Sequence, residues 1–258
     1  MSTISNLLEL EEELTKIKSA PIVAEKPIIT RGDEKILYPN TINIIKGSEG
    51  SHKSRLASMI VACVLKKNKC NHKLLGLEKQ QEDLAIIYVD TERNVKAQFP
   101  KALQEMQRKA GFKITEQPKN FFYTSLYDVK RGKRMSLLGE FIKDKRDKCP
   151  RKHFLIVLDV LTDCLKSFND AEDSMKLVDN LNKIVNNYPC TILGIIHVNP
   201  GSNKARGHLG TEIANKSSTV LQTKIVNSDG EKIIKIVFDK CRNTERYNPI
   251  HTVYDEQE

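Results

Sequence analysis

The sequence predicts an α/β fold: a mainly parallel, twisted sheet with helices on both faces and a C-terminal β-hairpin. Three observations predict it. Short, nearly continuous apolar runs recur along the chain as TINIIK, AIIYVD, FLIVLD and TILGIIH. Segments with helical periodicity separate them. A strand that is apolar on both sides must be covered on both sides, and the crossover helices of a parallel sheet do this. Near the end, two apolar runs flank Ser228-Asp229-Gly230, a turn that reads as a closing hairpin.

Taken in order, residues 4 to 18 place Ile4, Leu7, Leu8, Leu14 and Ile17 near helical spacing, with Glu9, Glu11, Glu12 and Glu13 largely elsewhere, which predicts an amphipathic helix. Pro21 stops it, and 19–27 reads as a linker. The chain thus divides into an N-terminal helix and linker (1–27) and a globular domain (28–258). In that domain 41–46 is a strand and 54–65 a buried helix. Residues 85–90 form a second strand, followed by a helix to about Ala110 that Gly111 ends. A third strand is expected at 120–126 and a basic helix at 136–145. The strand 154–159 precedes a helix over 170–187, whose Met175, Val178, Leu181, Ile184 and Val185 share one face. Strands at 191–197, near 219–223 and at 233–238 complete the sheet.

Composition narrows the function classes. The 258 residues include 39% hydrophobic ones, enough for a sizeable core. No apolar run reaches the roughly 18 residues that cross a bilayer, and the acidic N-terminal stretch MSTISNLLELEEEL does not read as a signal peptide. The six cysteines, at 63, 70, 149, 164, 190 and 241, form no C-x-x-C pair, which fits reduced thiols and a cytoplasmic protein without membrane contact. Cys70 and His72 have no second ligand pair at zinc spacing and read as a polar loop. Forty-two Lys and Arg against 33 Asp and Glu give a net charge of +9. Residues 128–152 hold ten basic and four acidic side chains. Such a field attracts polyanions, though a solvated lysine-rich surface has the same composition.

The chemistry concentrates at the ends of the apolar strands. Gly47-Ser48-Glu49-Gly50-Ser51-His52-Lys53-Ser54 follows a strand and opens a helix, the context of a phosphate-binding loop. Its backbone N–H groups and the helix dipole favour bound phosphate. Lys53 would reach the β- and γ-phosphates of ATP, the Ser54 hydroxyl would ligate Mg²⁺, and Arg55 closes the nucleotide-binding stretch. His52 stands where this loop type has glycine; if the backbone there needs φ > 0, the side chain costs on the order of 1 kcal/mol. After the second strand, Asp90-Thr91-Glu92-Arg93 places Glu92 where it would orient an attacking water, although Thr91 and Glu92 would equally serve as caps of the following helix. FLIVLD ends in Asp159, a carboxylate for the Mg²⁺ water shell. TILGIIH ends in His197, which would sense a γ-phosphate or equally be a strand-end histidine meeting solvent. The loop Asn199–Gly210 is glycine-rich and basic, and Lys204 and Arg206 are its candidates for DNA phosphates. Lys240 and Arg242, after the last long strand, form a Lys-x-Arg pair suited to a γ-phosphate held by an adjacent subunit.

The order of phosphate loop, VDTE, LIVLD, His197, glycine-rich basic loop and KCR resembles the RecA/DnaB-like P-loop ATPase core, closest to the RepA-type hexameric helicase branch. KARGHLGTEIANKSSTVL (204–221) and FDKCRN (238–243) are also similar to ATPases carried by Bacteroides-type mobilizable transposons. The resemblance covers roughly 28 to 245. It implies a RecA-like ATPase domain over 28–258 that uses ATP and Mg²⁺. Gly47, Gly50, Lys53 and Ser54 match the Walker A loop, Glu92 the catalytic glutamate, Asp159 Walker B and His197 the γ-phosphate sensor. Lys240 and Arg242 match the pair acting across a ring interface. It further implies single-stranded DNA as partner and a homo-oligomer of the hexameric-ring type, in which Leu7, Leu8, Leu14 and Ile17 pack on a neighbouring core or cover their own. His52 departs from the family loop, so a nucleotide- or DNA-binding accessory protein without turnover is the alternative.

Overall fold

A computed structural model describes residues 4–23, 25–228, 230–242 and 244–253. Helix α1 (Ile4–Lys18) leads into an exposed stretch, and the packed body begins at the fully buried Ile28. The body then runs β1 (Ile29–Arg31), β2 (Glu34–Leu37), β3 (Ile42–Gly47), α2 (Lys53–Leu65), β4 (Leu77–Lys79), β5 (Leu84–Asp90) and α3 (Gln98–Lys109). It continues with β6 (Phe121–Ser125), α4 (Arg131–Lys148), β7 (His153–Asp159), α5 (Ala171–Asn187), β8 (Cys190–His197), α6 (Gly207–Lys216), β9 (Thr219–Ser228), β10 (Glu231–Cys241) and β11 (Ile250–Thr252).

The main sheet has eight strands in the order β11-β10-β9-β3-β8-β7-β5-β6, with β9 through β6 mutually parallel and β10 and β11 antiparallel. Strands β3 and β5 are buried at every residue, because helices cover both faces. Helices α2 and α3 pack on one face through Leu56, Ile60, Val64, Phe99 and Met106. Helices α4, α5 and α6 pack on the other through Leu138, Ile142, Leu181 and Ile213. This is the expected doubly covered sheet with its C-terminal hairpin; Asp229 at the hairpin turn lies outside the described residues, as does Asn243.

Several expectations need correction. The three-stranded sheet β2-β1-β4 and strand β11 were not expected, since runs of three or four residues carry too little periodicity to stand out. The basic helix is longer than 136–145, extending from Arg131 to Lys148. The basic loop is shorter than expected: Gly207–Gly210 form the first turn of α6, because a glycine at φ +69 allows the chain to enter the helix there. Thr91 and Glu92 do not cap α3, which begins only at Gln98. Every described residue of α1 is exposed, so Leu7, Leu8, Leu14 and Ile17 do not cover their own core. All six cysteines are free thiols, and no metal-ligand cluster occurs among the described residues. No described helix is long and apolar enough to cross a membrane.

Candidate nucleotide site

The site lies at the C-terminal edge of the parallel strands. Gly47 ends β3, and a side chain there would collide with Thr223, meeting its Oγ1 at 2.6 Å and its carbonyl at 2.7 Å, so only glycine lets the loop turn at this point. The turn is closed by Ser51, whose hydroxyl donates to the Ser48 carbonyl (2.7 Å) and contacts the Thr223 hydroxyl (3.0 Å). Gly50 has φ +72 with open space around it. His52 takes the left-handed conformation, φ 68 and ψ 25, and is the residue from which α2 springs. The backbone conformation that glycine ordinarily supplies is therefore present with a histidine in it. The imidazole Nδ1 lies 2.7 Å from Arg55 Nη1, one helical turn on. Burial, and then the Arg55 charge, hold the His52 pKa below its ordinary value, so the ring accepts at Nδ1 from the guanidinium.

Lys53 is 6% exposed, and its Nζ donates to the Ser48 carbonyl at 2.7 Å, folding the ammonium over the loop. Burial lowers its pKa, against the opposing pull of Asp159, Glu92 and Glu49. The Ser54 hydroxyl donates to Asp159 Oδ1 at 3.0 Å. Phosphate loop and strand-end aspartate thus meet at the edge of the sheet. A hydroxyl and a carboxylate at this separation are hard oxygen donors of the kind Mg²⁺ takes, and the N-terminal end of α2 beside them carries the positive pole that favours phosphate. The residues fit the group.

Behind this pair lies a buried charge network of which only Asp159 and Asp90 were conspicuous in sequence. The second oxygen of Asp159 accepts from the Tyr88 hydroxyl at 2.7 Å and from Arg93 Nη1 at 2.8 Å. Arg93 Nη1 also binds Asp90 Oδ2, while Asp90 Oδ1 accepts the backbone N–H groups of Glu92 (3.1 Å) and Arg93 (2.6 Å). Asp90 thereby holds the turn that carries Glu92. Its pKa is raised because burial outweighs Arg93. That of Tyr88 is pushed well above the ordinary phenol by burial and then by Asp159. Thr91 ties the turn to β7, accepting the Val160 N–H at 2.8 Å. Tyr88 was missed because it reads as one more large residue in an apolar strand; its place two residues before Asp90, on the same face of β5, was the available signal.

Glu92 Oε1 lies 3.6 Å from His197 Nε2, an ion-pair distance longer than a hydrogen bond. Contact with His197 holds the Glu92 carboxyl below the ordinary range, against burial, with Arg93 and Lys53 adding to the effect. Beyond His197 the chain turns out and returns: Val198 and Ala205 form an antiparallel bridge, and the Arg206 N–H donates to the His197 carbonyl at 2.8 Å. Lys204 and Arg206 are exposed, the Arg206 guanidinium stacking 4.5 Å from the Phe168 ring centroid. Lys46 pins this loop, its Nζ donating to the Asn203 carbonyl at 2.8 Å while pairing with Asp239 at 2.5 Å.

Lys240 and Arg242 are not drawn into this crevice by their own chain. Lys240 Nζ donates to the carbonyls of Ala214 (2.9 Å) and Asn215 (2.8 Å), and Arg242 Nη2 to that of Asn215 (3.1 Å). They cap the C-terminal end of α6, where a cation meets the negative end of the helix dipole.

A strand-loop-helix phosphate cradle at the edge of a parallel sheet, with a serine and an aspartate converging from β3–α2 and β7, defines a P-loop ATPase with a RecA-like core. A family model described as an AAA domain matches residues 15–203, and the chain belongs to that family. No curated protein matches the chain.

Proposed function

We propose that this protein is a DNA-stimulated ATPase of the RepA/DnaB-like kind, working as a homo-oligomer in the replication, mobilisation or excision of a mobile genetic element. The observation that carries the reading is the contact between Glu92 and His197. It joins the carboxylate assigned here to take a proton from water to the residue at the root of the basic loop 198–206, which supports coupling between hydrolysis and the set of that loop. A small-molecule kinase has no use for such a link.

In this reading ATP lies along residues Gly47–Arg55. Lys53 holds the β- and γ-phosphates, and Ser54 and Asp159 hold Mg²⁺, which supplies charge neutralisation to the transferring phosphoryl group. Glu92 orients the water and accepts its proton, and His197 senses the γ-phosphate. Lys204 and Arg206 face single-stranded DNA. Lys240 and Arg242 act on a neighbour's nucleotide once released from the α6 carbonyls. The exposed apolar face of α1, with Leu7, Leu8, Leu14 and Ile17 all more than half exposed, supports packing on a second copy of the chain.

The test is ATP hydrolysis with and without single-stranded DNA, with mass determined in the presence of MgATP. Hydrolysis stimulated by DNA, abolished in Lys53→Ala and Glu92→Gln, and an oligomeric mass are expected. Absence of hydrolysis under both conditions refutes the reading; MgATP retained without product then identifies a nucleotide-gated binding protein.

A further inference from the structure

The β9–β10 hairpin carries a feature that the nucleotide site does not use. Strand β9 pairs with β3 only through Thr223, which sits opposite Gly47, so the hairpin from Lys224 onward overhangs the edge of the sheet where the phosphate loop and loop 198–206 emerge. Within it Lys224 and Lys235 are directly opposite in the antiparallel register. Two like charges at this separation destabilise a hairpin. Neither lysine makes an ion pair with any described residue, so no carboxylate offsets the repulsion.

The face that bears the lysine pair is turned toward the basic loop. Side chains alternate along a strand, so Gln222 and Lys224 share one side of β9, and Lys235 and Val237 lie opposite them on β10. Gln222 Nε2 donates to Asn203 Oδ1 at 3.0 Å, which fixes that side as the one facing the loop. A groove of about 590 Å³ runs between them, lined by His197, Ser202, Arg206, Gln222 and Lys224 among others. Arg206, like Lys204, has no carboxylate partner among the described residues. Two cations, Arg206 and Lys224, line this groove directly, with Lys235 opposite Lys224 in the hairpin and Lys204 two residues before Arg206 in the loop; Ser48 and Glu49 of the phosphate loop line it as well, and the loop wall is pinned in place by Lys46 and Gln222.

We infer that this groove, with Lys224 on one wall and Arg206 on the other, each with a second cation beside it (Lys235 across the hairpin, Lys204 in the loop), is the docking surface for the phosphodiester backbone of single-stranded DNA. The inference rests on the DNA-stimulated reading above and adds the hairpin wall to it. Bound phosphates offset the repulsion between the two lysines, which accounts for a pair otherwise unfavourable to the hairpin. The polar lining offers hydrogen bonds to backbone oxygens and no fixed pattern for base edges, so binding is independent of sequence.

The experiment is anisotropy of labelled oligothymidylate with the full chain, measured over a series of salt concentrations. Lys224→Gln/Lys235→Gln removes two phosphate contacts, so the slope of log affinity against log salt falls by about 1.4, at ~0.7 per contact on a single strand, with affinity lowered about tenfold. Basal ATP hydrolysis stays unchanged. Lys232→Gln, on the opposite side of β10, serves as the control and leaves the slope unchanged. Lys235→Glu creates an opposite-charge pair with Lys224, so it raises Tm by about 1–3 °C while weakening DNA binding further. A wild type that binds DNA with a slope unaltered in the double variant, or altered equally by Lys232→Gln, overturns the hairpin wall alone. A wild type that does not bind the oligonucleotide overturns the DNA reading and this surface with it.

Discussion

Replacing Tyr88 by phenylalanine tests whether the Asp159 carboxylate is held from behind. Tyr88 is fully buried, and its hydroxyl donates to Asp159 Oδ2 at 2.7 Å. The substitution keeps the ring in the core against Phe99, centroids 6.1 Å apart, and removes one oxygen. A hydrogen bond to a buried charged group contributes about 1.5–3 kcal/mol. Asp159 keeps Ser54 on Oδ1 and Arg93 on Oδ2, so the carboxylate is left under-satisfied but not unpaired, and a loss of about 2 kcal/mol is expected. For a domain of this size that corresponds to a fall in Tm of about 4–8 °C. Chemical denaturation measures it directly, and a double-mutant cycle with Asp159→Asn isolates the pair, with a coupling of about 1 kcal/mol or more. A loss below about 0.5 kcal/mol, or zero coupling, refutes the claim that Tyr88 supports the aspartate.

Three further outcomes follow from single positions. His52→Gly leaves stability within about 1 kcal/mol of wild type, because relief of the left-handed strain offsets the lost Arg55 contact and glycine's extra chain entropy; His52→Val, β-branched at φ 68, costs about 2 kcal/mol, and denaturation of both variants checks the contrast. His153, part-buried beside Thr191 and near Arg146, has its pKa lowered to about 4 by burial and then by that arginine. A base with a depressed folded pKa stays neutral in the fold while the unfolded chain protonates, so stability is lost as pH falls from about 6.5 to about 4. Discounted for its residual exposure, the loss is on the order of 1–2 kcal/mol, and His153→Gln flattens that limb of the Tm-against-pH curve. Gly210→Ala drives a methyl group into Ala205, whose Cβ lies 2.8 Å away and whose carbonyl lies nearer; Tm falls, with a cost of about 1–3 kcal/mol, and proteolysis within 199–206 accelerates as the Val198–Ala205 bridge opens.

The long strands and the phosphate loop were legible because their signals are dense. Four apolar runs end in Lys46-Gly47, Asp90, Asp159 and His197, and the parallel register brings those ends to one edge. What escaped depends on which side chains meet across the sheet. Nothing local in Tyr88 or Arg93 says that both reach Asp159 from a different strand or turn, about 70 positions away in the chain. Nor does local sequence say that Lys46 leaves a strand of the core to bind Asn203 and Asp239. The small strands β1, β2 and β4 escaped for a different reason, since three or four residues show no resolvable alternation. Exposure of α1 was also beyond reach: an amphipathic pattern states that a face is apolar and not what covers it.

The wiring of the site also bears on why histidine is tolerated at 52. A left-handed residue before the lysine costs on the order of 1 kcal/mol when it has a side chain, and such a cost persists only where the surroundings over-determine the conformation. Here they do so from both directions. Ahead of it, Ser51 is locked to Ser48 and Thr223, which leaves the chain little choice of entry. After it, Arg55 on the first turn of α2 grips the imidazole, and the Leu56 N–H donates to the His52 carbonyl at 3.1 Å, so the helix begins on the strained residue itself. The same two anchors keep the imidazole directed at Arg55, not folded over the loop where Lys53 lies. The departure from glycine is therefore compensated within the loop, and the shape that cradles phosphate does not depend on the residue type at 52 as long as that residue tolerates φ near +68.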